Sequence, residues 1–251
     1  MASLRHDQIA QKSRELSLRM TGGVGPVSVQ RLTADDARVL ASVLRQLLRG
    51  HTPSPTRLGP GTGLTPAEVE AALIRLHAAG ALYLADGMIK AAYPLSGVPT
   101  RHRLTIGRTT AYANCALDAL AAPFMVNEPV RIESECAHCG RSVTVQMRGD
   151  QVAAAEPAAP MVFCVAAGDC GEAGPAVLTR CPYINFVCGA EHAAGWQTAH
   201  AERPGRALQL TEAITLARER FDGVIRLLRG ESVPPAALFR SVQWLTSGRE
   251  E

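Results

Sequence analysis

The chain has 251 residues, 47% of them apolar and 20% charged, with a formal net charge of +3. That length suits one large domain or two small ones with a real core, and the charged fraction excludes wholesale disorder. So small a net charge gives no case for nucleic-acid binding, and no run of about 20 apolar residues marks a membrane helix.

All but two of the basic residues are Arg, Lys12 and Lys90 being the lysines. Met1 to Met20 is polar and lacks the apolar centre of a secretory signal, so a cytoplasmic protein with reduced thiols is expected. The seven cysteines, Cys115, Cys136, Cys139, Cys164, Cys170, Cys181 and Cys188, all lie in the second half. An odd number fits free thiols better than a full set of disulfides.

Residues 1–30 end in Gly22-Gly23-Val24-Gly25-Pro26 and read as a mobile arm. Ala37, Leu40, Val43, Leu47 and Leu48 fall at helical spacing between Thr33 and Leu48. Thr52 to Gly63, rich in Pro and Gly, is expected to be loop. Thr65, Pro66 and Glu68 then form the start of a capped helix whose stripe is Val69, Leu73 and Leu76, with Gly80 as its stop. Ala81–Ala85 and Met88–Tyr93 read as strands joined by the turn Asp86-Gly87. Helices followed by a hairpin make a winged-helix-like unit, assigned to residues 31–100. Its second helix would read DNA in a regulator. Here that helix carries Glu68, Glu70, Arg75 and His77, a poor face for phosphates, so a packing unit is the better reading.

Residues 101–251 are expected to form the chemistry-bearing domain. A strand near Arg103–Ile106 is followed by a short helix holding Cys115 and Asp118, which should stop before Pro123. Val130–Ser134 and Ser142–Met147 alternate as strands around the turn Cys136-Ala137-His138-Cys139-Gly140. Met161–Val165 and Ile184–Val187 read as further strands, Asp169–Gly174 as loop, and Thr211–Leu228 as one helix ending at Gly230. The fold class is therefore α+β: a winged-helix-like helical unit packed on a mixed β-sheet core with flanking helices.

Cys115 and Asp118, at i and i+3, share one helix face. In a first turn the exposed amides lower a thiol's pKa, and a neighbouring carboxyl would hold a proton or accept one from the thiol. The same pattern also suits a buried, inert cysteine beside a surface acid. Cys136 and Cys139 form a CxxC that is either half of a structural zinc site or a half-buried thiol pair, since no second CxxC follows. Cys181, before Pro182, is expected in extended, accessible backbone at a strand entrance.

Together these residues resemble the organomercurial (alkylmercury) lyases over roughly Leu40 to Arg229. Asn114-Cys115-Ala116-Leu117-Asp118-Ala119-Leu120 resembles that family's active-site Cys-Ala-Leu-Asp run. Cys136 matches a further family cysteine held to be structural. Cys181 falls fifteen residues before Trp196, as the family's second active-site cysteine does. The arm, Cys139, the segment Ala166–Thr179 with Cys170, and the Arg180-Cys181-Pro182 context depart from the family pattern.

The resemblance implies cleavage of a carbon–mercury bond. Thiolates of Cys115 and Cys181 would take the soft metal, and Asp118 would deliver the proton. The organomercurial is then the small-molecule partner, Hg(II) the bound product, and cellular thiols or a mercuric reductase the acceptor. No organic cofactor, membrane or nucleic acid is implied. The alternatives are a winged-helix regulator responsive to zinc or mercury, a non-catalytic soft-metal-binding relative, and a cysteine hydrolase with Cys115 as nucleophile. The last needs an activating base, and neither His138 nor His192 sits in such a motif.

Overall fold

The computed structural model describes residues 32–165 and 174–239. The 1–30 arm, Cys170 and nearly all of the expected Asp169–Gly174 loop lie outside them. The fold is α+β. Helix α1 (Ala34–Leu48) starts at Thr33, whose hydroxyl accepts the Asp36 N–H while the Asp36 carboxylate accepts the Thr33 N–H. Helix α3 (Pro66–Ala78) repeats the device with Thr65 and Glu68. Between them Pro55–Thr62 forms a further helix, α2, where a loop was expected. Pro55 suits a helix start, Leu58 is fully buried, and the Thr62 hydroxyl closes back on the carbonyls of Leu58 and Gly59. Packing overrides the local composition.

The hairpin β1 (Leu82–Ala85) and β2 (Met88–Ala92) turns through Asp86 and Gly87, both at positive φ. Arg75 of α3 is held by the buried Asp36 carboxylate, and His77 is itself buried.

The hairpin does not stand apart from the rest. Strand β2 pairs with β3 (Leu95–Ser96), which pairs with β5 (Thr109–Ala113), and the sheet continues through β4 (His102–Ile106), β6 (Val130–Glu135), β7 (Ser142–Arg148) and β8 (Gln151–Glu156). One eight-stranded sheet thus crosses residue 100. A second sheet sets β9 (Met161–Val165) between β10 (Asn185–Val187) and β11 (Gly205–Gln209). Every pairing among the described residues is antiparallel, where a mixed sheet was expected. A two-residue link such as Gly107-Arg108 between β4 and β5 permits only that sense.

Helix α4 (Ala116–Ala121) is followed by a 3₁₀ turn, Ala122–Phe124, and packs on α7 (Leu210–Arg220). A four-residue helix, α5 (Ala176–Thr179), precedes Cys181, and α6 (Ala190–Ala199) follows β10. The single helix expected over 211–228 is two, α7 and α8 (Asp222–Leu228), broken at Phe221. Phe221 is buried edge-on to Phe239, and Gly223 lies so close to the Ala237 carbonyl that a Cβ would sit 2.0 Å from its oxygen. The approach of the 234–239 segment bends the helix there.

Candidate functional site: two thiols and a carboxyl in the core

Cys115 is the N-cap of α4, one position before the first turn where it was expected. Its backbone is extended, and its Sγ accepts the Asp118 N–H at 3.4 Å, as a serine hydroxyl would in that position. The cap fixes the sulfur and the carboxyl on the same end of the helix.

Cys181 arrives from elsewhere by a backbone link. The Ala116 N–H, at the start of α4, donates to the Ile184 carbonyl at 3.1 Å. Cys181 itself opens a 3₁₀ turn, closed by the Ile184 N–H on the Cys181 carbonyl. It is neither extended nor accessible as expected: Pro182 occupies the first turn, where its missing N–H costs nothing, and Cys181 is 6% exposed. As a result Sγ of Cys115, Sγ of Cys181 and a carboxylate oxygen of Asp118 all lie within 4.8 Å of one another, all three residues being buried.

Burial governs the electrostatics. It pushes the Cys115 thiol well above its ordinary value, and the neighbouring Cys181 thiol and Asp118 carboxyl add to that. The helix-start amide of Asp118 pulls the other way and loses, so the lowered thiol pKa expected from the helix end is not found. Burial likewise raises Asp118 from 3.8 to about 7, against Arg220, Asn114, Cys115 and Arg180, which favour the carboxylate. Oδ2 of Asp118 has no hydrogen-bond partner among the described residues. A carboxyl in this setting holds a proton near neutrality and has an oxygen free to pass it on.

Sequence reasoning missed Tyr93. Its hydroxyl accepts the Val177 N–H at 2.6 Å, and burial together with the charges of Cys181, Asp118 and Cys115 raises its pKa. Tyr93 thus pins the Cys181 segment from the hairpin side. Nothing in the sequence signalled this, because the partner is a backbone amide 84 residues away.

The other sequence-selected pair is not part of this cluster. Cys136 and Cys139 lie together with Cys188 and His192, their ligand atoms within 4.8 Å of one another. Cys164 is buried in β9 and belongs to neither group. Trp196 lies against His200, ring centroids 4.0 Å apart and the rings tilted by 57°. His138 packs near His192 and is not among the clustered ligands.

The family model described as alkylmercury lyase (MerB) matches residues 95–222. The chain is 31% identical over 126 residues to the alkylmercury lyase of Staphylococcus epidermidis, covering 50% of this chain and 56% of the relative. It is 26% identical over 193 residues to that of Streptomyces lividans, covering 76% and 84%. It therefore spans just over half the length of several of these relatives, including the Bacillus cereus alkylmercury lyase at 55%. In fold it is similar to the crystal structure of the mercury-bound form of MerB2, with a TM-score of 0.67 at 22% identity, covering 88% of this chain and 98% of that one. The matched region holds Cys115, Asp118 and Cys181, and the chain belongs to the alkylmercury lyase family.

Proposed function

We propose that the chain is an organomercurial lyase that cleaves a carbon–mercury bond by protonolysis. The observation that carries this reading is the buried convergence of Cys115, Cys181 and Asp118 within 4.8 Å. Mercury(II) is soft and prefers sulfur, and a dry pocket strengthens the interactions of the charges that develop in it.

An organomercurial enters as R–Hg–SR′. One cysteine thiol replaces R′S, which leaves as R′SH. The second thiol bonds mercury and passes its proton to the Asp118 carboxylate. Two sulfurs now donate electron density to the metal, and the attached carbon becomes basic. Asp118 protonates it; the C–Hg electron pair becomes the new C–H bond, and R–H departs. Hg(II) is left as a bis-thiolate of Cys115 and Cys181, to be taken by cellular thiols or a reductase in exchange. No redox change occurs and no organic cofactor takes part. The reading places the protein in the reducing cytoplasm.

The test is release of benzene from phenylmercury in excess thiol. Wild type should release it, and Cys115→Ser or Cys181→Ser should abolish release. Asp118→Ala should retain mercury but cleave roughly 100- to 10,000-fold more slowly, the range for loss of a general acid. Stoichiometric mercury uptake by wild type without benzene would make the protein a soft-metal carrier instead. Unimpaired turnover in either cysteine variant would remove the two-thiol scheme.

A further inference from the structure

The turn Cys136-Ala137-His138-Cys139-Gly140 and the run Cys188-Gly189-Ala190-Glu191-His192 face each other across the edge of the fold. The first closes the β6–β7 hairpin: the Cys136 N–H donates to the Arg141 carbonyl and the Gly140 N–H to the Cys136 carbonyl, with Gly140 at φ 73°. The second leaves β10 and enters α6, placing Cys188 just before the helix and His192 in its first turn. The Ala137 N–H bonds the Phe186 carbonyl, which holds the two segments in register.

Four soft or borderline donors result, in the pattern Cys-x₂-Cys … Cys-x₃-His. Cys139 Sγ lies 3.9 Å from Cys188 Sγ, and Cys136 Sγ lies 3.3 Å from Nδ1 of His192. A tetrahedral zinc with Zn–S of about 2.3 Å and Zn–N of about 2.0–2.1 Å sets its sulfurs about 3.8 Å apart and sulfur from nitrogen about 3.6 Å apart. The observed separations bracket those values. A disulfide between Cys139 and Cys188 would need about 2.05 Å, so the pair is not set as a cystine. Peptide N–H groups of Cys139, Cys188 and His138 converge on Cys136 Sγ, the environment that steadies a metal-bound thiolate. Burial grades from Cys136 in the core to exposed Cys139, so the metal would sit just beneath the surface, closed on all four sides by protein and with no position open for a substrate.

We propose that Cys136, Cys139, Cys188 and His192 form a structural Zn(II) site, separate from the Cys115–Cys181 pair, which staples the β6–β7 turn to the start of α6. Its mechanical consequence reaches the other site. Strand β10 has the Ala116–Ile184 bond at its entrance and the Ala137–Phe186 bond within it, so the ion anchors the far end of the strand that follows Cys181.

The experiment uses the full chain, purified under reducing conditions, with its metal content measured by mass spectrometry and no mercury added. One zinc per chain is expected. Cys139→Ser and His192→Ala should lose it, while Cys115→Ser and Cys181→Ser should keep it. Cobalt substituted for zinc should give the absorption of a tetrahedral, thiolate-rich ion, absent in Cys139→Ser. Chelation of zinc from the wild type should lower Tm by about 5 °C or more, reversed by zinc, which tests the staple without relying on a variant that misfolds. A wild-type chain without zinc that gives no tetrahedral cobalt spectrum would overturn the site. So would zinc lost only with Cys115 or Cys181, an unreduced mass showing a Cys139–Cys188 disulfide, or a Tm indifferent to chelation.

Discussion

The sulfur of Cys115 caps the helix that carries Asp118, accepting the Asp118 N–H at 3.4 Å. One contact therefore fixes the thiol and the carboxyl to each other, which in the proposed reaction would set the metal ligand beside the proton donor before any substrate arrives. Cys115→Ser would keep the cap, since a hydroxyl accepts the same bond, and lose only the soft ligand. We expect Cys115→Ser to unfold within about 1 kcal/mol of wild type in urea while failing to retain mercury as a bis-thiolate. A large loss of stability would mean that the sulfur is needed for packing and that the activity result is uninformative about ligation.

Asp118 should make the protein less stable as the pH rises. Its carboxyl titrates at about 7 in the fold against 3.8 when unfolded. Between those values the folded chain holds a proton that the unfolded chain has released, so stability falls from about pH 4 up to about pH 7 and then levels. Asp118→Asn removes this slope. The variant should gain on wild type by about 3 kcal/mol more at about pH 8 than at about pH 5, by linkage. Parallel stability curves for the two proteins would show that Asp118 is not held protonated.

Some of this was legible in the residues and some was not. Caps were: Thr33 and Thr65 with acids three positions on carry their own local bonds. The i, i+3 pairing of Cys115 and Asp118 was legible too. Cys181 was identified through the family resemblance alone, because its meeting with Cys115 depends on the Ala116–Ile184 backbone bond, which no periodicity encodes. Cys188 and His192 carry no CxxC spacing to mark them, since these two side chains straddle a strand end and a helix start. Strands β5 and β8 escaped notice because Thr109–Ala113 and Gln151–Glu156 show no clean alternation of apolar residues. The break at Phe221 was hidden by an apolar pattern that continues through it, while its cause lies in the 234–239 segment.

His102 gives a pH dependence of opposite sign. Burial, helped by Arg101, lowers it from 6.5 to about 3, and its Nδ1 pairs with the Ser134 hydroxyl at 3.0 Å. The unfolded chain takes up a proton near 6.5 that the folded chain refuses until about 3, so stability is full above the first value and drains as the pH falls toward the second. The ring signals of His102 should stay flat in NMR from about pH 8 to about pH 5 in the folded state. A midpoint near 6.5 would mean that the ring is solvated.

Arg75 holds a carboxylate with no solvent-accessible surface of its own. Asp36 is fully buried, and Arg75 meets it with Nε at 3.0 and 3.1 Å and a terminal nitrogen at 2.8 Å. The guanidinium itself is 44% exposed, so its removal costs less than breaking a fully buried pair. Arg75→Ala should destabilise by roughly 2 kcal/mol, and Arg75→Lys should recover only part, lacking the planar fork. The readout is urea unfolding. An Arg75→Ala variant as stable as wild type would show Asp36 to be satisfied by Thr33 alone.

Gly97 is where the hairpin unit locks onto the rest of the sheet. Its N–H donates to the Lys90 carbonyl, and a Cβ there would stand 1.9 Å from the Ile89 carbonyl oxygen. Backbone cannot swing away as a side-chain tip can, so Gly97→Ala forces β2 and β3 apart. Tyr93 lies between those strands, and it pins the Cys181 segment through Val177. We expect Gly97→Ala to cost about 3 kcal/mol and to lower benzene release from phenylmercury in the fraction that remains folded. Gly189→Ala is the control: it has extended backbone and open space around the new methyl, and its stability should stay near wild type. If Gly97→Ala were as mild as Gly189→Ala in denaturation, the close approach of β2 and β3 would not be what holds Tyr93 against the site.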